Sequence, residues 1–207
     1  MLPFIETRSG KDFWPLDPRP ADVDIQDIAH ALSNQCRFSG HTKRHYSVAE
    51  HSIRVSELLE EWGCTPEAQL WGLLHDASEA YLVDLPTPLK RDPRFAFYLE
   101  AEARLQATIC NAFGLPIEEP AEVRAADGVM LATEARDLMA YRPEHWTKLK
   151  HAPTPYAIGL DRRAWGPVVS KRRFLMHFYR LMHRDTDPVD EYSAPDSVPT
   201  LQPTGSE

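Results

Sequence analysis

The feature that most constrains this chain is a junction: the apolar run Leu70, Trp71, Leu73, Leu74 passes directly into His75-Asp76. A helix face that begins this way is heading into a core. Delivering an imidazole and a carboxylate there without partners costs several kcal/mol, so other polar groups must meet them. Taken alone, an HD pair of this kind is ordinarily a buried His bonded to a carboxylate. The wider sequence supplies more than that: His51 lies on a preceding helical stretch, and Asp127 on a following one. Two imidazoles and two carboxylates make an N/O donor set suited to a divalent transition metal.

The surrounding pattern is helical throughout. Ile25, Ile28, Ala29 and Leu32 fall on one face of a first helix, with Asp22 or Asp24 as its cap. Periodicity returns over Tyr46–Trp62. Thr65-Pro66-Glu67 reads as a start signal for a third helix running to about Ala80. Asp84-Leu85-Pro86-Thr87-Pro88 is expected to be non-helical because of its prolines. Further helices are predicted over 93–113, ending at Gly114, over 119–140 and over 167–184. The expectation is an all-α, single-domain chain with three parts: an extended lead-in over 1–21, a helical domain over 22–184, and a Pro/Ser/Thr/Asp-rich, disordered tail over 185–207. Residues 142–165 show no period. Trp62, Trp71 and Leu73-Leu74 are assigned to the core.

The 207 residues carry a formal charge of -8. That balance excludes general binding to nucleic-acid polymers or anionic membranes, which need a basic footprint, while leaving room for a small basic pocket. No apolar run approaches a membrane span and no signal-peptide pattern opens the chain, so it reads as cytoplasmic. Cys36, Cys64 and Cys110 show no CxxC spacing and read as free thiols.

The order His51, His75-Asp76, Asp127 on successive helices resembles the HD-domain superfamily of metal-dependent phosphohydrolases. Ala49-Glu50-His51-Ser52, Leu74-His75-Asp76-Ala77-Ser78-Glu79 and Asp84-Leu85-Pro86-Thr87-Pro88-Leu89-Lys90 are similar to the bacterial HD-domain 5'-deoxynucleotidases. The resemblance covers roughly residues 25–140. It implies an HD-type helical bundle in which His51, His75, Asp76 and Asp127 hold one divalent transition metal ion (Mn, Co, Ni, Zn or Fe). By the same resemblance Glu79 is the catalytic carboxylate, Asp84 contacts the sugar hydroxyl side of the substrate, and Arg37 and Phe38 form an Arg-aromatic pair on phosphate and sugar. The family's aromatic is usually Trp, and Phe38 stands here. Lys90 joins the cations available to developing negative charge. The implied substrate is a small phosphorylated molecule, most simply a (deoxy)nucleoside 5'-monophosphate. A nucleoside triphosphate and a non-catalytic nucleotide-binding role remain alternatives. Two-metal HD chemistries need further His ligands after the HD pair, and no His lies between His75 and His145. The resemblance also implies a homodimer. His41 and His45 are the remaining histidines placed nearest a pocket. Glu50 reads equally as a support for His51 or as a surface acid. Glu134 and Asp137 read as a solvated helix face.

Overall fold

The computed structural model describes residues 3–140 and 164–183. Residues 142–163 of the aperiodic segment and the tail expected to be disordered lie outside the described residues. The fold is all-α, with eight helices among the described residues: α1 Ile25–Asn34, α2 Val48–Glu61, α3 Pro66–Leu74, α4 Glu79–Leu82, α5 Thr87–Lys90, α6 Ala96–Ala112, α7 Ala121–Leu138 and α8 Pro167–Met182. No helix is long and apolar enough to cross a membrane, and all three cysteines are free.

Helix α2 is the hub, packing against α1, α3, α7 and α8, while α8 also lies along α1 and α3. The core is continuous through Ile28, Leu32, Ile53, Leu59, Leu74, Met130 and Phe174, all essentially without exposure. Asp24 and Thr65 cap their helices as expected, and Ser47 caps α2: the Asp24 side chain accepts from the Gln26 amide, Ser47 from the Glu50 amide and Thr65 from the Ala68 amide, satisfying donors that a helix start leaves unpaired. The lead-in is more than extended chain. Strands β1 (Ile5–Glu6) and β2 (Asp12–Phe13) pair antiparallel, with Ile5 opposite Phe13. The hairpin is pinned where the Ser9 amide and hydroxyl donate to the two Asp27 oxygens at 2.8 and 2.7 Å. It buries Phe13 against Tyr81, ring centroids 3.8 Å apart.

Three elements differ from the expectation. Helix α3 stops at Leu74 instead of running to Ala80. In a continued helix the Asp76 amide would bond the Gly72 carbonyl, but that carbonyl accepts His75 Nδ1–H at 2.8 Å. From there the chain turns tightly, with Ala77 bonded to Leu74 and Glu79 to Asp76, before α4 begins. Second, Thr87 and Pro88 open the one-turn helix α5, because the first turn of a helix has no need of the amide that proline lacks. Third, Trp62 is 45% exposed rather than part of the core, at the C-terminal end of α2 where the chain turns back. Trp71 is buried as expected, its indole N–H donating to the Pro116 carbonyl.

Gly72 sets how closely α2 and α3 approach. A Cβ there would overlap Leu59 Cδ1 and press on Val55 Cγ1 at 3.3 Å. Gly72→Ala adds about 1 kcal/mol of helix propensity but overpacks a dense core, at about 1–3 kcal/mol. The net expectation in urea unfolding is a less stable protein by about 1 kcal/mol, and a more stable variant would contradict this account of the α2–α3 contact.

Candidate metal centre

Four separate stretches converge on one point: α2 brings His51, the turn after α3 brings His75 and Asp76, α7 brings Asp127, and the strap between α1 and α2 brings Arg37. His51 Nε2 and His75 Nε2 lie 3.2 Å apart. Asp76 Oδ2 is 3.2 Å from His75 Nε2 and 3.6 Å from His51 Nε2, so one ligand atom from each of His51, His75 and Asp76 falls within 4.8 Å of the others. Asp127 Oδ1 approaches the imidazoles from α7, 3.2 Å from His51 Nε2 and 4.0 Å from His75 Nε2. It stands at the edge of this trio, with 39% of its side chain exposed.

The far nitrogens decide what the near ones can do. His51 Nδ1–H donates to Glu134 Oε1 at 2.6 Å, and His75 Nδ1–H donates to the Gly72 carbonyl. Each neutral imidazole therefore turns the lone pair of its Nε2 toward the other. Two lone pairs at this distance repel unless a proton or a cation sits between them. Burial would lower the His75 pKa, but Asp76 and Asp127 outweigh it and push it up to about 10. His51 is opposed by burial and by Arg37 and is still raised by Glu134 and Asp127. Burial works to raise Asp76, and the two imidazoles with Arg37 hold it well below the usual carboxylate range. The donor set fits a divalent transition ion: nitrogens this close match two neighbouring ligands at metal–nitrogen distances of about 2.0–2.1 Å, and each imidazole carries the carbonyl or carboxylate partner typical of metal-bound histidine.

Glu134 is fully buried and corrects the expectation of a solvated face. Besides His51 it accepts from the Tyr46 hydroxyl at 2.9 Å and pairs with Arg37 Nε at 3.3 Å. Burial opposes its charge, and Arg37 and His51 overcome this to keep its pKa low. A signal was available: Glu134 lies two helical turns beyond Asp127, on the same face. Glu50 is also fully buried, but it takes a two-point ion pair from Arg44 at 3.1 Å rather than supporting His51. His45 Nδ1 meets the Trp165 carbonyl at 3.1 Å and His41 is exposed, so neither belongs to the cluster.

Arg37 is at the cluster, its Nη1 3.2 Å from Asp76 Oδ2. Phe38 follows in the left-handed region at φ 53°, with Ser39 at 52° and Gly40 at 80°. Two non-glycine residues in succession there store strain, which concentrates at functional sites. Glu79 is 4% exposed. Lys90 Nζ lies 3.3 Å from its Oε1 and 2.6 Å from Glu102 Oε1, so the lysine is held between two carboxylates. Glu79 Oε2 is buried with no hydrogen-bond partner among the described residues. Burial, then Asp76 and Asp84, push Glu79 well above its usual range. Asp84 is raised by burial and Asp76 against the pull of Arg37. The structure thus brings His51, His75, Asp76, Asp127, Glu79, Asp84, Arg37 and Lys90 to one region. Glu102 was not anticipated; it follows Lys90 on a separate helix, and nothing in its local sequence marks it.

The fold and the cluster define an all-α protein with a His-His-Asp group able to hold a metal ion. No family model matches the chain. It is 41% identical over 152 residues, 73% of this chain and 82% of the relative, to the uncharacterized protein YfdR of Escherichia coli strain K12. It is 35% identical over 183 residues, 84% of this chain and 93% of the relative, to the uncharacterized protein RCAP_rcc00048 of Rhodobacter capsulatus. The chain belongs to the family of these two proteins.

Proposed function

We propose that this chain is a cytoplasmic, metal-dependent phosphohydrolase of the HD type, hydrolysing (deoxy)nucleoside 5'-monophosphates to nucleoside and phosphate. The observation that carries the reading is the pair of Nε2 atoms facing each other at 3.2 Å with both Nδ1–H groups already committed. His51, His75 and Asp76 would hold the ion, with Asp127 as fourth ligand. When bound, such an ion polarises a phosphoryl oxygen and acidifies a water. Glu79, with Oε2 buried beside the cluster, takes the proton of the attacking water. Lys90 stays with Glu79 and Glu102, restraining the rise in the Glu79 pKa. Arg37 is fixed through Nε and Nη1, which leaves Nη2 to meet phosphate. Asp84 accepts a hydroxyl of the sugar, and Phe38 packs on the ring. Two copies of the chain would form the working homodimer.

The test is phosphate release from nucleoside mono-, di- and triphosphates by metal-stripped protein resupplied in turn with Mn²⁺, Co²⁺, Ni²⁺, Zn²⁺ and Mg²⁺. Turnover of monophosphates that appears with a transition ion and vanishes in Asp76→Ala is the expected result. Turnover of triphosphates alone would move the substrate class. A protein that binds metal and turns over nothing would sink the reading.

A further inference from the structure

The segment from Glu79 to Asp84, helix α4 and the two residues that follow it, contains the most unfavourable backbone outside the strap. Val83 sits at φ 66°, ψ 155°, a region essentially reserved for glycine. A β-branched residue there is an outlier. Its side chain is 57% exposed, so packing does not hold it in place. What remains is hydrogen bonding. The Val83 amide donates to the Glu79 carbonyl at 2.9 Å, and the Tyr98 hydroxyl donates to the Val83 carbonyl at 2.6 Å. The third tie comes from a distant element. Gln35 Nε2 donates to the Glu79 carbonyl at 2.9 Å, and Gln35 Oε1 accepts the Asp84 amide at 3.2 Å.

One side chain thus spans both ends of the strained segment. The chemistry of its partners fixes the orientation of the amide, since a carbonyl can only accept and an amide N–H can only donate. Gln35 is well anchored to do this. It terminates α1, its own amide bonded to the Ala31 carbonyl, and its carbonyl accepts from the Val48 amide at the start of α2. It is therefore tied to the helix that carries His51.

We infer that Gln35 is a positioning residue: by bridging the Glu79 carbonyl and the Asp84 amide it holds Val83 in its strained geometry and aims both carboxylates at the metal cluster. The inference rests on the hydrolase reading above for its kinetic consequence, but not for its structural one. A displacement of about 1 Å in a reacting group can cost about 100-fold in rate, and Gln35→Leu, which removes both bonds at similar volume, is expected to lower kcat/KM by that order. Mn²⁺ affinity and the thermal midpoint should stay near those of the parent protein. Val83→Gly in the Gln35→Leu background is expected to restore at least about tenfold, because the segment then reaches the same geometry without being held. Amide hydrogen exchange at Asp84 should accelerate in Gln35→Leu and not at distant positions. Kinetics unchanged within about twofold in Gln35→Leu, or a rate loss matched by loss of Mn²⁺ binding and of the thermal midpoint, would overturn the inference. Should the parent protein hydrolyse no nucleotide, the hydrolase reading fails by itself. The Asp84 exchange rate then still decides the role of Gln35, and unchanged protection overturns it.

Discussion

Glu79→Gln is expected to reduce kcat for the proposed nucleotide hydrolysis by about 100- to 10,000-fold, the range for loss of a positioned proton acceptor, with metal affinity nearly unchanged. The substitution keeps the shape of a side chain that is 4% exposed and removes its ability to take a proton, while Lys90 keeps its ion pair with Glu102. Parallel titrations of Mn²⁺ and of phosphate release separate the two effects, and a variant that keeps its kcat would remove Glu79 from the chemistry. The pH dependence has a definite sign. Burial and the neighbouring carboxylates Asp76 and Asp84 raise the Glu79 pKa, against the opposing pull of Lys90. A base must be deprotonated to act, so the rate should climb with pH through the titration of Glu79. Lys90→Met removes the opposing charge and should move that titration to higher pH.

Glu134→Ala carries the largest expected cost to stability. It strands Arg37 Nε–H, the His51 Nδ1–H and the Tyr46 hydroxyl at once, leaving Arg37 only its contact with Asp76. Removing one member of a buried charged network costs about 3–5 kcal/mol, a large share of the roughly 5–15 kcal/mol that holds a domain together. Urea unfolding of Glu134→Ala against the parent protein measures it, and a loss below about 1 kcal/mol would show that the network is not held by Glu134. Glu134→Gln keeps acceptor capacity for His51, so stability should largely return while metal affinity falls by about 10- to 100-fold. The folded-state pKa of Glu134 is depressed, so its stabilisation is present above the unfolded value of 4.5 and lost as pH falls through the lower folded value. Glu134→Gln should accordingly flatten the acid limb of the stability profile.

How far the sequence predicts this molecule depends on which interactions do the deciding. Local rules locate the helices: Asp24 and Thr65 cap where their positions suggest, and Gly114 ends α6 at φ 70°. The break at His75 is invisible to periodicity because a side chain, not the backbone, competes for the Gly72 carbonyl. The hairpin over 5–13 is two residues long on each side, too short for alternation to register, though Ser9-Gly10 is a turn signal. His75 and Asp76 stand out because their residue types are unusual in an apolar frame; His51 and Asp127 are marked only by their order on successive helices, and the structure groups His51 with His75 and Asp76. Glu134 escaped because a glutamate on a polar-looking helix is ordinarily solvated, and only its spacing from Asp127 argues otherwise. Gln35 escaped for a deeper reason: both of its partners are backbone groups, and sequence carries no mark of them.

The cluster draws its donors from α2, from the turn after α3 and from α7, segments that touch only when the bundle is complete. A partly assembled chain has single imidazoles and carboxylates but no site. An ion held by the cluster would therefore bind the finished fold and add to its stability in proportion to the logarithm of ion concentration over affinity. Supply of that ion would then set how much of the chain stands folded, and unfolding midpoints measured with and without it would read the supply directly.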